Sequence, residues 1–235
     1  MVLAGGLAKR MQPRTAGVPK FLLPVAGRPF AAWLLDRLAA SGYAKVLLCI
    51  GHLGAAIRAE VGDGSAFGLA VSYADEGDLR LGTGGALRHA LGELEPTFLV
   101  TYGDSYLPFD YGAPLADLRA HADALATMAV YENADRFDLS NAAVSGAIVT
   151  RYDKRSPGAP RDPELGFIDY GAIAMRREVI AELPDGEPVG LDTIQARLAR
   201  TGRLRACVAR ERFFEIGSEG GLADLEAALR ERHAG

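Results

Sequence analysis

The chain has 235 residues, of which 49% are hydrophobic and 24% are charged. This balance is that of a folded globular protein and excludes general disorder. The formal net charge is −4 and the 26 basic residues are scattered, so we expect no nucleic-acid partner. No apolar run approaches the length of a membrane span, and the N-terminus does not resemble a secretion signal, so we expect a cytoplasmic protein with no membrane partner.

The first half of the chain alternates short apolar runs with amphipathic stretches. Strands are predicted over residues 1–4, 46–50, 69–73 and 97–102. Helices are predicted from Pro29 to a stop at Gly42, over residues 53–61 and over residues 83–91. Residues 5–20 are too rich in glycine, proline and cations to be regular structure, so they should form a loop.

The second half continues the alternation. It predicts strands near residues 126–131, 147–152 and 167–175, and helices over 191–200 and 222–232. A polar, proline-rich loop at residues 154–164 is expected to be a mobile flap rather than a linker. The whole pattern predicts one α/β domain with a mixed, mainly parallel sheet covered by helices on both faces.

The loop after the first strand carries the first candidate site. Paired glycines, Gly5 and Gly6, would let backbone N–H groups approach a phosphate closely, and Arg10 and Lys20 add positive charge. The loop matches neither the P-loop nor the dinucleotide-binding pattern. It predicts a phosphate site of another kind; the alternative is a glycine-rich surface turn with two solvated cations.

Carboxylates at strand ends form the second candidate site. Asp104 follows the strand at 97–102, where open α/β sheets bind ligands, and it is a candidate Mg²⁺ ligand. Because Mg²⁺ takes one or two carboxylates beside phosphates and water, Glu215 is the candidate partner. The alternatives are an Asx turn for Asp104 and an ordinary strand-end glutamate for Glu215.

Glu76 and the following LGTGG string suggest a place for a base. A flat heterocycle could lie on the exposed glycine backbone, and a carboxylate accepts the two parallel donors that guanine offers. Glu76 could equally be an exposed loop glutamate, since Asp75 and Asp78 are acidic neighbours. The two cysteines and four histidines show no spacing typical of a disulfide framework or a zinc site.

The glycine loop resembles the signature of the sugar-1-phosphate nucleotidyltransferases. The matching residues are Gly5, Gly6, Arg10, Met11, Pro13, Thr15, Pro19 and Lys20, and the departures are Ala8 for glycine and Lys9 for threonine. Seven further strings occur in the same order: VAGRPF, GDGSAFG, LGTGGALRHA, YGDS, YDKR, IDYGAIAM and FFEIGS. Together they are most similar to the branch that activates heptose 1-phosphate or mannose 1-phosphate.

This resemblance implies one Rossmann-like, GT-A-like domain over residues 1–235, with a nucleotide-binding half of about 1–110 and a sugar-phosphate-binding half of about 111–235. It implies Mg²⁺ on Asp104 and Glu215, where relatives have Asp or Asn in place of Glu215. It implies nucleotide binding by Leu3, Ala4, Gly5, Gly6, Glu76, Gly82 and Thr83. It implies sugar-phosphate binding by Asn141, Asp153, Lys154, Tyr170 and Gly171, although Asp153 and Arg155 depart from a Glu-Lys-Pro element.

The implied reaction joins a nucleoside triphosphate to a sugar 1-phosphate and releases pyrophosphate. Arg10 would hold the departing phosphates, Lys20 would bridge the α-phosphate and the acceptor phosphate, and Lys154 would anchor the acceptor. GTP is favoured, with heptose or mannose 1-phosphate. The alternatives are N-acetylmuramate 1-phosphate with UTP, a glucose 1-phosphate enzyme, and a catalytically silent nucleotide-sugar-binding subunit. A glycosyltransferase would want a DxD motif, which the sequence lacks. A homodimer is one possible state of assembly.

Overall fold

The structure is a computed structural model that describes residues 1–6 and 17–234. The strands are β1 (Val2–Leu3), β2 (Pro24–Val25), β3 (Arg28–Pro29), β4 (Lys45–Ile50), β5 (Ala70–Asp75), β6 (Thr97–Tyr102), β7 (Ser105–Tyr106), β8 (Ala126–Glu132), β9 (Ala142–Ser145), β10 (Ile148–Tyr152), β11 (Phe167–Arg176), β12 (Leu204–Ala209) and β13 (Phe214–Glu215). The helices are α1 (Phe30–Ala40), α2 (Gly54–Val61), α3 (Gly82–His89), α4 (Ala113–Ala120), α5 (Arg177–Ala181), α6 (Leu191–Arg200) and α7 (Glu219–Ala234).

The chain divides into two compact units. The first consists of Met1–Arg80, Thr101–Pro108 and Phe213–Gly235, and the second consists of Leu81–Val100 and Phe109–Arg212. The expected nucleotide-binding and sugar-phosphate-binding halves, about 1–110 and 111–235, stay a prediction; the compact units divide the chain differently, since Leu81–Val100 belongs to the second unit and Phe213–Gly235 to the first.

Parallel pairing prevails among the longer strands of the first unit. β1 pairs in parallel with β4 and with the end of β6, and β4 pairs in parallel with β5. The two-residue β1 therefore lies between two longer strands, and Val2 is fully buried. The apolar face of α1 supplies the completely buried Phe30, Leu34 and Leu35, as its helical spacing predicts.

Antiparallel pairing prevails in the second unit. β11 pairs antiparallel with β8, β12 pairs in parallel with β8, and β10 pairs antiparallel with both β12 and β9. The register of β11 shifts between Asp169 and Ile173, so the strand bulges there. The mixed α/β prediction is confirmed.

The predicted strands and helices are all present, with ends displaced by up to three residues. Sequence reasoning missed α4, α5, β9, β12 and the two-residue strands β2, β3 and β7. The proline-rich loop carries Arg155, whose side chain is 5% exposed and pairs with Asp135 at 3.0 Å. Its guanidinium also donates to the Pro160 carbonyl at 2.5 Å, so Arg155 anchors the loop, and the expected mobility of that loop stays a prediction.

Within the described part of the chain, no helix has both the length and the apolar character needed to cross a bilayer. Cys49 is buried, Cys207 is partly exposed, and both are free thiols.

Candidate functional site

Gly103 brings the ends of β1 and β6 close together. Its N–H donates to the Leu3 carbonyl at 3.0 Å. A Cβ at position 103 would lie 2.8 Å from that oxygen and 3.0 Å from Ala4 Cα, so another residue would force the strand ends apart. The Gly-Asp pair after β6 thus has a packing reason, and it places Asp104 beside the start of the glycine loop.

Lys20 and Asp104 form an ion pair at this edge. Lys20 lies in a 3₁₀ turn directly after Pro19, and its Nζ is 2.5 Å from Asp104 Oδ2. Ser105 Oγ donates to the other carboxylate oxygen, Oδ1, at 3.3 Å. The Lys20 side chain is 14% exposed and that of Asp104 is 37% exposed. The structure therefore brings together the predicted catalytic lysine and the predicted metal ligand.

Glu215 reaches the same place through a small antiparallel ribbon. β13 pairs with β7 so that Glu215 lies opposite Ser105, and the Ile216 N–H donates to the Asp104 carbonyl at 3.0 Å. Glu215 is exposed. Two solvent-accessible carboxylate residues at neighbouring positions fit a Mg²⁺ ion that takes its remaining ligands from phosphates and water. Larger acidic or histidine clusters able to hold a metal are absent from residues 1–6 and 17–234.

Glu76 lies across the ends of β1 and β4. Its N–H donates to the Ile50 carbonyl at 2.9 Å. A Cβ on Gly51 would lie 3.2 Å from Glu76 Oε1, and a Cβ on Gly5 would lie 3.5 Å from it. Glycine at position 51 leaves room for this carboxylate, a requirement that sequence reasoning missed. A Cβ on Gly6 would meet open space.

The predicted nucleotide residues Gly82 and Thr83 belong to the second unit. Gly82 has φ of +71°, and a Cβ there would lie 2.8 Å from the Val189 carbonyl. Gly84 N–H donates to that same carbonyl at 2.8 Å, and Thr83 Oγ1 accepts the Leu191 N–H at 2.7 Å. Close packing of the chain near Val189 thus accounts for the glycines of LGTGG. A role of Gly82 and Thr83 in nucleotide binding stays a prediction.

Asp169 is the centre of a polar network in the second unit. Its N–H donates to Asn141 Oδ1 at 2.8 Å, and its Oδ1 accepts the Gly171 N–H at 2.9 Å. Its Oδ2 accepts a hydrogen bond from Gln195 Nε2 at 2.7 Å. Sequence reasoning singled out Asn141 and Gly171 but missed Asp169 and Gln195. The IDYG string contained the signal for Asp169, whereas nothing local marked Gln195.

Tyr170 points into an aromatic cluster. Its side chain is 1% exposed, and its ring lies 5.5 Å from that of Phe109 and 6.2 Å from that of Tyr131. Gly171, with φ of +102°, allows the backbone to pass through the β11 bulge. The expectation that Tyr170 lines a sugar pocket stays a prediction.

Asp153 and Lys154 are both exposed at the end of β10. Asp153 N–H donates to the Asn141 carbonyl at 2.8 Å, and Lys154 Nζ lies 3.7 Å from Asp192 Oδ1. Tyr152, just before them, is 8% exposed. Burial raises the pKa of its hydroxyl well above the ordinary value, and the negative charges of Asp169 and Asp192 raise it further. Tyr152 therefore stays neutral at physiological pH.

Arg10, Ala8 and Lys9 lie outside the described residues, so the predicted role of Arg10 and the two departures in the signature receive no structural account.

Residues 1–215 match the family model of the MobA-like NTP transferase domain. The chain belongs to this family. It is 34% identical to the mannose-1-phosphate guanylyltransferase of Mycobacterium tuberculosis over 195 residues, which are 82% of this chain and 52% of that protein. It is 29% identical to the N-acetylmuramate α-1-phosphate uridylyltransferase of Caulobacter vibrioides over 240 residues, which are 98% of this chain and 96% of that protein.

Among solved structures of similar fold is HddC from Yersinia pseudotuberculosis complexed with GMP-PN, with a TM-score of 0.78, 21% identity and 97% of each chain covered. The chain spans about half the length of several curated relatives that it matches, including the first named above. The predicted membership of the sugar-1-phosphate nucleotidyltransferase family is confirmed. The relatives named above differ from one another in the base and in the sugar that their names give.

Proposed function

We propose that this member of the NTP transferase family joins a nucleoside triphosphate and a sugar 1-phosphate to give a nucleotide sugar and pyrophosphate. An oxygen of the sugar phosphate attacks the α-phosphorus, and the bond from that phosphorus to the β-phosphate oxygen breaks. The observation that carries the proposal is the Lys20–Asp104 pair beside the glycine loop: a cation for phosphate and a carboxylate for a metal at one strand edge.

In the first unit, the nucleotide contacts would come from the glycine loop, Lys20 and Glu76. Backbone N–H groups at Gly5 and Gly6 suit the phosphates, and Lys20 would hold the α-phosphate. Removing a single donor of this kind from a transition state commonly lowers the rate by about 10²- to 10³-fold. Arg10, outside the described residues, would hold the departing phosphates.

Asp104 and Glu215 would hold Mg²⁺. When bound, this ion would neutralise phosphate charge and orient the triphosphate. Contacts within the chain position both residues. Ser105 Oγ donates a hydrogen bond to the Asp104 carboxylate, and the pairing of β7 with β13 places Glu215 opposite Ser105.

In the second unit, the acceptor contacts would come from Lys154, Asp153, Asn141 and Asp169. Lys154 supplies the charge for the acceptor phosphate, and the carboxylates can accept hydrogen bonds from sugar hydroxyls. A general base is unnecessary, because a phosphate monoester is already largely ionised at neutral pH.

We favour GTP as donor and mannose or heptose 1-phosphate as acceptor. A carboxylate such as that of Glu76 can accept the N1–H and the amine of guanine together. The mycobacterial relative is named a guanylyltransferase. The relative from Caulobacter, which matches nearly the whole chain, is named a uridylyltransferase that acts on N-acetylmuramate 1-phosphate, and this pair is the alternative.

The test is pyrophosphate release by the purified protein with GTP, UTP, dTTP or CTP against mannose, heptose, glucose and N-acetylmuramate 1-phosphates. We expect the highest kcat/KM with GTP and a mannose-type acceptor, and loss of release when EDTA removes divalent ions. Release with UTP and N-acetylmuramate 1-phosphate would establish the alternative. A protein that binds nucleotide sugars in a thermal-shift assay but releases no pyrophosphate with any pair would be the silent subunit instead.

A further inference from the structure

Arg155 follows Lys154 directly in the chain, and the two side chains have opposite surroundings. The Lys154 side chain is 67% exposed, and its Nζ lies 3.7 Å from Asp192 Oδ1, which is beyond hydrogen-bond distance. The Arg155 side chain is only 5% exposed. A charged side chain is seldom buried without partners, because removing its charge from water costs free energy. The contacts of the Arg155 guanidinium therefore indicate what this residue does.

The guanidinium of Arg155 contacts two separate segments of the chain. Its Nη1 lies 3.0 Å from Asp135 Oδ1 and donates to the Ser140 carbonyl at 3.3 Å. Its Nη2 donates to the Pro160 carbonyl at 2.5 Å and to the Ala159 carbonyl at 3.4 Å. The planar fork of an arginine can make these contacts together, whereas a lysine ammonium is a compact point charge. Arg155 thus joins the proline-rich loop to the segment that precedes β9.

The segment that precedes β9, residues 133–140, is held by its own hydrogen bonds. Asn133 is fully buried, and its Nδ2 donates to Ser140 Oγ at 3.1 Å. The Ser140 N–H donates to Asp135 Oδ1 at 2.7 Å, and the Asp135 N–H donates to Ser140 Oγ at 2.9 Å. Asp135 has φ of +60°, a conformation that persists in a non-glycine residue where its surroundings fix it. The Asp135 carboxylate is therefore held facing Arg155.

Asp135 is negatively charged when it pairs with Arg155. The hydrogen bond from the Ser140 N–H lowers the pKa of the Asp135 carboxyl, burial raises it, and the charge of Arg155 lowers it again, so that the pKa lies below its ordinary value. A second cation, Arg161, has its Nε 3.9 Å from Asp135 Oδ2, but its side chain is 71% exposed. The buried partner of Asp135 is thus Arg155, and Arg161 is an exposed neighbour.

Lys154 lies between two anchored points of the backbone. Before it, the Asp153 N–H donates to the Asn141 carbonyl at 2.8 Å. After it, the side chain of Arg155 is fixed by the contacts described above. The exposed pair of Lys154 with Asp192 adds little, because such pairs are weak in water. A lysine ammonium sits on a flexible four-carbon stem, so the position of the backbone decides which region that ammonium can reach.

We propose that Arg155 is a positioning residue for Lys154: by anchoring the chain directly after Lys154, it directs the Lys154 ammonium to the phosphate of the acceptor. Because the proposed function assigns that phosphate to Lys154, the role of Arg155 rests on that function. Arg155 itself does not contact the acceptor, since its guanidinium is buried against Asp135 and the loop carbonyls. Its effect on sugar 1-phosphate affinity should therefore depend on Lys154.

The first variant is Arg155→Lys. It keeps a cation for Asp135, so that no buried carboxylate loses its charged partner, but it loses the fork that also reaches the loop carbonyls. We expect KM for the sugar 1-phosphate to rise about tenfold, the effect of weakening one hydrogen bond to a charged group. The nucleotide KM and kcat should stay within about twofold, because the lost interaction is one of acceptor binding.

A double-mutant cycle with Lys154→Ala gives a readout that a purely structural role would not produce. Lys154→Ala alone should raise the acceptor KM at least about tenfold. Adding Arg155→Lys to Lys154→Ala should change that KM by less than about twofold, because no ammonium is left to position. If Arg155 acted only on the stability of the loop, the two effects on KM would multiply.

The matched control is Arg161→Ala. Arg161 lies in the same loop and near the same carboxylate as Arg155, but it is exposed, so the acceptor KM should stay within about twofold. If Arg155→Lys does not fold, Asp135→Asn takes its place in the cycle, because it weakens the same anchor from the other side and keeps the size of the side chain.

Four outcomes in an active enzyme would overturn the positioning role and leave the proposed reaction standing. They are an acceptor KM within about twofold of wild type in Arg155→Lys, an equal rise in Arg161→Ala, effects that multiply in the double variant, and an unchanged acceptor KM in Lys154→Ala. A wild-type protein that releases no pyrophosphate with any pair of substrates refutes the proposed function, and the role of Arg155 with it.

Discussion

Lys20 Nζ and Asp104 Oδ2 lie 2.5 Å apart although 84 positions separate the two residues in the chain. Each is the other's charged partner in the structure, and each is the group that the proposed chemistry requires, one for phosphate and one for metal. Binding of the metal-bound triphosphate would replace one ion pair by two, with Lys20 on phosphate and Asp104 on Mg²⁺. The pair therefore keeps two costly charges compensated until substrate arrives.

Lys20→Ala should lower kcat roughly 10²- to 10³-fold, because it removes a cation that stabilises charge in the transition state. The measurement is pyrophosphate release with saturating substrates. Arg28→Ala is the control, since Arg28 forms an exposed ion pair with Asp36 at 2.7 Å in the same unit. An unchanged rate in Lys20→Ala would discard its role.

Asp104→Asn should abolish most of the Mg²⁺-dependent activity while the fold survives. The amide keeps the size of the side chain but loses the negative charge that a hard cation requires. Activity is measured over a Mg²⁺ titration, with circular dichroism as the check on folding and Asp36→Asn as the exposed control. Full activity at ordinary Mg²⁺ concentrations would place the metal elsewhere.

Glu76→Gln should raise KM for GTP about tenfold, because an amide offers one acceptor oxygen where guanine presents two donors, and the unmatched donor is penalised. KM for UTP should change by less than about threefold, since uracil does not present that donor pair. Steady-state kinetics with both nucleotides measure the ratio. Asp78→Asn, an exposed neighbour, is the control. Equal changes for GTP and UTP would contradict base recognition by Glu76.

Asp117→Asn should destabilise the protein in a pH-dependent way. Arg205 donates to both carboxylate oxygens, at 2.8 and 3.0 Å, and Thr127 Oγ1 donates at 2.8 Å. Burial raises the pKa of Asp117, but the hydrogen bonds from Arg205 and Thr127 outweigh it and hold that pKa below the ordinary value. A lowered folded-state pKa stabilises the protein above the unfolded-state pKa of about 3.9, and the gain is lost as pH falls through the folded-state value.

The expected loss at pH 7 is about 2 kcal/mol in the free energy of unfolding, as for hydrogen bonds to a charged group. Urea denaturation from pH 7 down to about 3 should show the difference from wild type shrinking in acid. Glu182→Gln, which breaks the exposed Arg197–Glu182 pair at 2.6 Å, should cost less than about 1 kcal/mol. A difference that is constant with pH would show that Asp117 acts through packing rather than charge.

Much of the fold follows from the sequence read locally. Apolar runs of five or six residues predict β4 and β6, and helical spacing predicts α1 and α6, because these patterns depend on neighbours within one element. The elements that sequence reasoning missed have weaker local patterns: α4 has few apolar residues on one face, and β9 has four residues.

By itself, the sequence determined the glycine loop, the strand that ends in Gly103-Asp104, and the string order that marks the family. Tertiary structure decided which polar side chains meet: Lys20 with Asp104, and Asp169 with Gln195. The physical reason is that such meetings depend on strand register and on the bulge in β11, which aims one side chain at another across distances in the chain that no local periodicity records. Tertiary structure also decided why LGTGG is rich in glycine, because the Val189 carbonyl leaves no space for a Cβ at Gly82.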